Sequence, residues 1–291
     1  MDALPDAVTE WIKDAVGSDA RAIHAHEMSG ATASVVAAID VDRAHDATVH
    51  LVLRRYVDHA VLDSEPDAVA REVAVLGALE ASTVDAPRVV AADPDGAICG
   101  DPMLLMTRLH GKPRWRARQG VVDFLDQLAA QLPAVHEVTP ADPEFPTYRA
   151  YYEADDRAPP TWSAHADAWT DAIEAHAAPP PPYEPVLIHR DYHPGNVLWN
   201  GNTVSGIVDW AWGCCGPAEV DVAHCRLNLA LRIDADAADL FLSAWETHAG
   251  VYSYDTTWDL RDAVDLLPDL HDSHAALDRL DEFVARAAAK R

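Results

Sequence analysis

A chain of 291 residues is long enough to form two compact lobes with separate hydrophobic cores. Its net charge of −26 argues against nucleic acid as a partner, because a polyanion would be repelled and the sequence has no evident basic patch. No apolar run approaches the roughly twenty residues of a membrane-spanning helix, and the acidic N-terminus carries no secretory signal. We therefore expect a cytoplasmic protein without membrane contact, present as a monomer or homodimer.

The N-terminal part of the chain predicts a helix followed by an antiparallel sheet. Residues 1–20 predict the helix, because five apolar residues recur at helical spacing: Leu4, Val8, Trp11, Ile12 and Val16. From Ile23 to Leu53 the pattern changes to period two with β-branched residues, which is typical of strands. Short apolar runs at 89–92 and 103–106, bounded by Pro, Asp and Gly, predict further strands of the same sheet.

A helix of about four turns is predicted after Ser64, where the sequence offers an N-cap, an early proline and an acidic first turn. Its apolar stripe consists of Val69, Val73, Leu76 and Leu79. The first lobe is expected to end near Arg108, which assigns residues 1–108 to it. Residues 109–291 then form a second lobe that is mainly helical, because apolar residues recur there at i, i+3 and i+4. The fold class predicted from these patterns is α+β.

A β-hairpin is the strongest local prediction in the second lobe. The Asn-Gly pair at 200–201 separates two β-rich runs, so residues 197–199 and 204–208 are predicted to pair. The pairing brings Asn196 and Asp209 together at the open end of the hairpin. An amide oxygen and a carboxylate at that end can hold Mg²⁺, which prefers oxygen ligands.

Asp191 precedes Asn196 by five residues and follows an apolar run that ends at Ile188. An exposed carboxylate next to a metal site can orient and deprotonate a hydroxyl nucleophile. Together with His189 and Arg190, it forms the H-R-D-x-x-x-x-N pattern described for phosphoryl transfer, and Asp209 follows at the position of the metal-binding Asp.

The motifs His-Arg-Asp at 189–191, Pro-Gly-Asn-Val-Leu at 194–198 and Ile-Val-Asp-Trp at 207–210 together resemble the aminoglycoside phosphotransferase and choline kinase superfamily. In that superfamily, Asp-Trp commonly replaces the Asp-Phe-Gly of protein kinases. The resemblance implies a two-lobed protein-kinase-like fold, with an N-terminal antiparallel β-sheet lobe carrying one key helix and a larger, mainly α-helical C-terminal lobe. It also implies that residues 1–108 bind the nucleotide and that 109–291 carry catalysis and substrate binding.

The resemblance assigns roles to individual residues of the catalytic segment. It implies Asp191 as the catalytic base, Asn196 and Asp209 as the Mg²⁺ ligands, and His189 as an organiser of the loop. Arg190 could stabilise transferred charge or form a salt bridge.

The sequence leaves two interpretations open for each of two further residues. His193 could face the substrate or water. Asp221 could cap the following helix or bond to the catalytic loop.

The superfamily also requires a cation on the third strand and a carboxylate on the following helix, which position the α- and β-phosphates. Arg54 or Arg55 stands where a lysine is usual, and Glu72 supplies the carboxylate. The arginine departs from the pattern, because a guanidinium binds oxygens as a planar fork rather than as a point charge.

A nucleotide-covering loop is expected around residues 28–34, with contacts from Ser29, Gly30 and Thr32. It has a single glycine, so it is a weak version of a phosphate-binding loop. Met106 lies where the interlobe hinge would offer backbone groups to a purine.

The acceptor pocket is expected in the second lobe, where aromatic rings and carboxylates suit a cationic amino sugar or a quaternary amine. The candidates are Trp115, Trp162, Trp169, Trp245, Trp258, Tyr151, Tyr152, Glu153, Asp155 and Asp156. Most of these tryptophans could equally belong to the core.

The leading hypothesis is a phosphotransferase that uses ATP or GTP with Mg²⁺ and phosphorylates a hydroxyl of a small molecule. An aminoglycoside-type antibiotic is the default acceptor, and choline, a sugar or a homoserine-like metabolite are alternatives. A degenerate kinase-like protein that binds nucleotide without turnover is a second hypothesis. A third is a metallohydrolase that uses His189, Asp191 and His193 as ligands.

Overall fold

The computed structural model describes residues 4–28, 34–44, 48–58, 62–63, 65–116, 120–140, 142, 145–151, 157–250, 253–267 and 273–291. The chain divides into two compact units. The first consists of Met1–Ala81, Asp85–His110 and Trp210–Trp212, and the second of Ser82–Val84, Gly111–Asp209 and Gly213–Arg291. The assignment of 1–108 and 109–291 as separate domains stays a prediction.

The described residues of the first unit form a five-stranded antiparallel sheet. Its strands are β1 (Ala20–Met28), β2 (Val35–Arg43), β3 (Val49–Arg55), β4 (Val89–Asp93) and β5 (Met103–Thr107). Across the sheet, their order is β1-β2-β3-β5-β4. Burial alternates along β2 and β3, as expected for strands with one face on the core. The predicted run of strands in the first lobe is therefore present.

Two helices accompany this sheet: α1 (Asp6–Val16) and α2 (Ala68–Leu79). Val8 and Ile12 lie one turn apart on α1 and are fully buried against the apolar face of the sheet. The helix α2 begins after Asp67, whose side chain makes no capping hydrogen bond. The proposed cap at Ser64 lies outside the described residues.

Helices outweigh strands in the described part of the second unit. They are α3 (Val121–Ala129), α4 (Leu132–His136), α5 (Ala166–Ala177), α6 (Ala218–Arg232), α7 (Ala235–Ala249), α8 (Thr257–Leu266) and α9 (His274–Ala289). The helix α6 forms the centre of this unit, since most of its residues are buried. Among the described residues, no helix is both long and apolar enough to cross a membrane.

Short strands hold the motif-bearing segment of the second unit. The strand β7 (Val186–Ile188) pairs with β10 (Cys214–Gly216), and β8 (Val197–Asn200) pairs with both β6 (Lys112–Pro113) and β9 (Thr203–Ile207). The β8–β9 hairpin is the one predicted from the Asn-Gly pair. Gly201 lies in its turn with a φ of 62°, a left-handed conformation that glycine adopts without strain.

Candidate active site

The catalytic loop begins where β7 ends, and the carboxylate of Asp221 on α6 holds its backbone. Asp221 Oδ2 accepts a hydrogen bond from the His189 amide at 2.9 Å, and Oδ1 accepts one from the Arg190 amide at 2.6 Å. His136 Nε2 lies 3.1 Å from the same carboxylate, which is fully buried. Asp221 makes no capping bond on α6. The structure therefore shows the predicted bond to the catalytic loop and not the helix cap.

His189 connects the loop to the hairpin through both of its ring nitrogens. Nδ1 accepts a hydrogen bond from the Asp191 amide at 3.2 Å, and Nε2 lies 2.9 Å from the Val208 carbonyl oxygen. Because the first partner can only donate and the second can only accept, His189 is the tautomer with its proton on Nε2. Neither nitrogen is left to bind a metal or to move a proton, which argues against the metallohydrolase hypothesis.

The Asp191 carboxylate is held by side chains from two directions. Oδ2 accepts a hydrogen bond from Asn196 Nδ2 at 2.9 Å, and Oδ1 lies 3.0 Å from His224 Nε2 and 3.4 Å from His193 Nε2. Burial alone would raise the pKa of Asp191, but the hydrogen bond from His224 and the positive charge of His224 hold it well below its usual range. Asp191 is therefore ionised throughout the neutral range.

Asn196 and Asp209 stand at the open end of the β8–β9 hairpin, where the Val208 amide donates to the Asn196 carbonyl oxygen at 2.9 Å. The Asn196 side-chain nitrogen is committed to Asp191, so its amide oxygen is the atom that could ligate a cation. An amide oxygen and a carboxylate fit Mg²⁺, which usually takes few protein ligands and keeps water and phosphate oxygens. Among the described residues, no group of three or more His, Cys, Asp or Glu is arranged to hold a metal ion.

Two non-glycine residues with positive φ flank this site in the described chain: Arg190 at 69° and Asp209 at 71°. Such a conformation costs an L-residue with a long side chain about 1–2 kcal/mol, and Asp tolerates it better. Strained backbone of this kind persists where the surrounding contacts fix it, and it is concentrated at functional sites.

Arg190 is buried, and its guanidinium carbon lies 3.6 Å from the ring centroid of Tyr151 and 5.3 Å from that of Tyr148. The Tyr151 hydroxyl donates to the Arg190 carbonyl oxygen at 3.2 Å. The guanidinium thus makes cation–π contacts with two rings. Its predicted part in stabilising transferred charge stays a prediction.

His193 and Trp115 form a stacked pair beside Asp191, with ring centroids 5.0 Å apart. Burial lowers the pKa of His193 to about 4, so its ring is neutral at neutral pH. The pair requires glycine at position 195, since a Cβ there would lie 2.6 Å from the His193 ring and 2.9 Å from Trp115. The structure thus places the His193 ring against Trp115 and near Asp191, and its contact with the substrate stays a prediction.

His224 and Asp262 belong to the same group, although neither was predicted from the sequence. His224 Nδ1 lies 3.3 Å from Asp262 Oδ1, and its Nε2 faces Asp191. The available signal was weak: His224 follows Asp221 by three residues, which places the two side chains on the same face of α6. Asp262, on α8, has no local sequence signal.

The first unit contains the predicted cation–carboxylate pair. Arg54 Nη1 on β3 lies 3.4 Å from Glu72 Oε2 on α2, and both side chains are buried. The Tyr56 hydroxyl donates to the same oxygen at 3.2 Å, and burial together with the Glu72 charge raises the pKa of Tyr56. Arg55 instead pairs with Asp101. Of the two candidate arginines, Arg54 is therefore the one beside Glu72.

The remaining predicted contacts with the nucleotide are described in part. Met106 lies in β5 opposite Val52 and is buried. Ser29, Gly30 and Thr32 lie outside the described residues.

The acceptor candidates separate into core and site residues. Trp169, Trp245 and Trp258 are buried core residues, and Trp162 packs edge-on against Trp169. Of the five tryptophans, Trp115 is the one stacked at the catalytic loop. Tyr152, Glu153, Asp155 and Asp156 lie outside the described residues.

Comparison with known families identifies one match along most of the chain. The model of the phosphotransferase enzyme family, APH, matches residues 28–263. A search of curated proteins gives no significant match.

Solved structures resemble the chain over nearly its whole length. A presumed aminoglycoside phosphotransferase from Ralstonia eutropha JMP134 superposes with a TM-score of 0.66 at 16% identity, covering 98% of each chain. Macrolide 2'-phosphotransferase MphH from Brachybacterium faecium gives 0.60 at 17% identity and 99% of each chain. A thermostable mutant of aminoglycoside phosphotransferase APH(4)-Ia, crystallised with ADP and hygromycin B, gives 0.63 at 18%, covering 91% of this chain and 94% of that one. These likenesses confirm the predicted protein-kinase-like α+β fold.

Proposed function

The chain belongs to the phosphotransferase enzyme family, and on that premise we propose that it transfers the γ-phosphoryl group of ATP or GTP to a hydroxyl of a small molecule. The observation that carries the proposal is the Asp191 carboxylate, held between Asn196 and His224 beside the open end of the β8–β9 hairpin. This arrangement supplies an ionised acceptor for a hydroxyl proton next to two oxygen donors for a cation.

In the proposed reaction, the acceptor hydroxyl oxygen forms a bond to the γ-phosphorus while the bond from that phosphorus to the β,γ-bridging oxygen breaks. The hydroxyl proton passes to Asp191, and the nucleoside diphosphate leaves with the electrons of the broken bond. A carboxylate with a depressed pKa is a weak base, so Asp191 acts mainly by orienting the hydroxyl and takes the proton late. This fits a loose transition state, in which little covalent assistance is needed.

Asn196 and Asp209 would hold Mg²⁺ through the amide oxygen and the carboxylate. Bound there, Mg²⁺ would neutralise charge on the phosphates of the nucleotide. His189 and Asp221 keep the backbone of the loop in position for these side chains.

Arg54 is the proposed cation for the α- and β-phosphates, with its guanidinium fixed by Glu72. The backbone around Met106 is proposed to accept the purine, and Ser29, Gly30 and Thr32 to cover the phosphates. Because a guanidinium presents a planar fork, replacement of Arg54 by lysine tests whether this fork or only the charge is required.

An aminoglycoside is the default acceptor in this proposal, by analogy with the relative crystallised with hygromycin B. The acidic composition alone is a poor guide to a cationic acceptor, because carboxylates of α8 have partners inside the protein. Asp259 pairs with Arg226, and Asp265 accepts from the Tyr151 amide. The acceptor panel should therefore include macrolides, choline, sugars and homoserine beside aminoglycosides.

The proposal is tested by coupled nucleotide consumption over that panel with ATP and with GTP. We expect one acceptor class to raise consumption well above the level without acceptor, and Asp191→Asn to lower it about 10²–10⁴-fold. The far-UV circular dichroism of the variant should match that of the wild type. Nucleotide binding in calorimetry without consumption for any acceptor would support the degenerate nucleotide-binding protein instead, and absence of nucleotide binding would reject both.

A further inference from the structure

His224 occupies an unusual position between two carboxylates. Its side chain is 7% exposed, with Nε2 lying 3.0 Å from Asp191 Oδ1 and Nδ1 lying 3.3 Å from Asp262 Oδ1. Ionised carboxylate oxygens can only accept hydrogen bonds, so each of these contacts favours a proton on the ring nitrogen that it involves. The geometry is that of an imidazolium held by a carboxylate on each side.

The other groups that contact His224 carry no charge at neutral pH. Asn228, one turn along α6, donates through Nδ2 to the His224 carbonyl oxygen at 3.0 Å, and the same Nδ2 lies 3.1 Å from His224 Nε2. The ring of His193 lies 6.0 Å away between centroids and is neutral at neutral pH. Burial alone would lower the pKa of His224, but Asp262 and Asp191 raise it to about 10.

The contact fixes the Asp191 carboxylate at both oxygens. Asn196, on the same loop, donates to Oδ2, while His224, on α6, donates to Oδ1. Two donors from separate elements determine the plane of the carboxylate and leave it little freedom to rotate. Asp262, on α8, fixes the imidazole ring from behind, as a carboxylate does for a histidine in many enzyme sites.

We propose that His224, held by Asp262, is a positioning residue that fixes the orientation of the Asp191 carboxylate during phosphoryl transfer. The inference rests on the proposed role of Asp191 as base. His224 acts through Asp191 and need not touch the acceptor or the nucleotide. Its loss should therefore lower kcat more than it raises KM.

The charge of His224 can be measured without turnover by nuclear magnetic resonance on protein labelled with nitrogen-15 in histidine. The His224 signals are those that disappear in His224→Gln. We expect both ring nitrogens to be protonated at neutral pH, with deprotonation near pH 10. Asp262→Asn should move that titration towards the ordinary value of 6.5. A wild-type His224 ring without a proton on Nε2 at neutral pH would overturn the proposal, because Nε2 is the atom that faces Asp191 Oδ1.

Kinetics then test the positioning role with the acceptor found by the screen. His224→Gln keeps a hydrogen-bond donor and should lower kcat about tenfold, whereas His224→Phe should lower it about a hundredfold, with KM for nucleotide little changed. Asp262→Asn should resemble His224→Gln, and it serves as the second test if His224→Phe does not fold.

The matched control is His176→Gln. His176 is also buried and faces a carboxylate, Asp265 at 3.5 Å, but it makes no contact with Asp191, so kcat should not change. Wild-type kcat in folded His224→Phe would overturn the positioning role. If the wild-type protein is inactive with every acceptor, the proposed function is rejected. The magnetic resonance experiment would still determine the charge of His224.

Discussion

Asp221 shows how a residue that meets no substrate can determine the geometry of the site. Its buried carboxylate accepts from the amides of His189 and Arg190, and it pairs with His136. Removing it would leave two buried N–H groups and the half-buried His136 without their acceptor.

We therefore predict that Asp221→Ala lowers the free energy of unfolding by about 3–5 kcal/mol, as for the loss of one partner of a buried pair. Asp221→Asn keeps one acceptor oxygen and should cost about 1–3 kcal/mol. Urea unfolding measures both. Asp236→Asn is the control, because this aspartate is largely exposed in its pair with Arg286 and should change stability by less than about 0.5 kcal/mol. Equal losses for Asp221→Ala and the control would contradict the account.

The raised pKa of His224 predicts how the stability of the protein depends on pH. Its pKa is raised from 6.5 to about 10 in the folded protein, so the folded state binds a proton more strongly than the unfolded state. The resulting stabilisation is complete below pH 6.5 and is lost as the pH rises to about 10. Chemical unfolding along this range should show a decline that is smaller in His224→Gln, and equal slopes in the two proteins would count against a charged His224.

The residues of the site differ in how far the sequence predicts them. Asp191, Asn196 and Asp209 lie within a stretch of nineteen residues that forms one loop and one hairpin. Their spacing in the sequence therefore determines how the three side chains are arranged. His224 reaches Asp191 because α6 packs against β7, and Asp262 reaches His224 because α6 and α8 pack together. Contacts between distant helices leave no local pattern in a single sequence.

At the level of elements, the β8–β9 hairpin is the part of the site most directly predicted. Gly201 adopts a φ of 62° in its turn, and a Cβ there would meet no atom within 4 Å, so backbone strain alone determines the effect of a side chain. Gly201→Ala should thus destabilise the protein by about 1–2 kcal/mol.

The matched control for this substitution is Gly77→Ala in α2. A Cβ at Gly77 also meets nothing within 4 Å, but the backbone there is helical. The alanine should stabilise the protein by about 0.5–1 kcal/mol, because it reduces the freedom of the unfolded chain and favours the helix. Thermal unfolding that moved in the same direction for both variants would contradict this reading.

Other elements could not be predicted with the same detail. The three-residue strands β7 and β10 pair across 25 intervening residues, from Gly216 and Cys214 back to Val186 and Ile188. Strands this short have too few residues to show a period. The apolar run at Val186 indicated a buried segment, whereas its partner was identified only in the folded structure.

At the scale of the whole molecule, a net charge of −26 implies self-repulsion that salt should screen. Thermal unfolding at increasing sodium chloride concentration should show a rising Tm. The rise should be steepest at low ionic strength, because the Debye length has already fallen to about 10 Å at 0.1 M. A Tm that is independent of salt would mean that ion pairs such as Arg226–Asp259 already balance the repulsion.

The protein-kinase-like fold was predictable because local patterns and the catalytic motifs agree on it. The acceptor was not, because its recognition depends on side chains from separate helices, and the predicted tryptophans were largely core residues. Trp115 illustrates the difference. Its place beside His193 depends on a glycine at position 195, and only the folded structure shows that contact.

Transfer of a radiolabelled γ-phosphate from ATP or GTP to the acceptor panel measures the proposed reaction itself. We predict that label appears on one class of small hydroxylated acceptor with the wild-type protein and Mg²⁺. With Asp191→Asn, the rate should fall about 10²–10⁴-fold. Label that stays on the nucleotide with every acceptor, or that transfers at the wild-type rate in Asp191→Asn, would contradict the account.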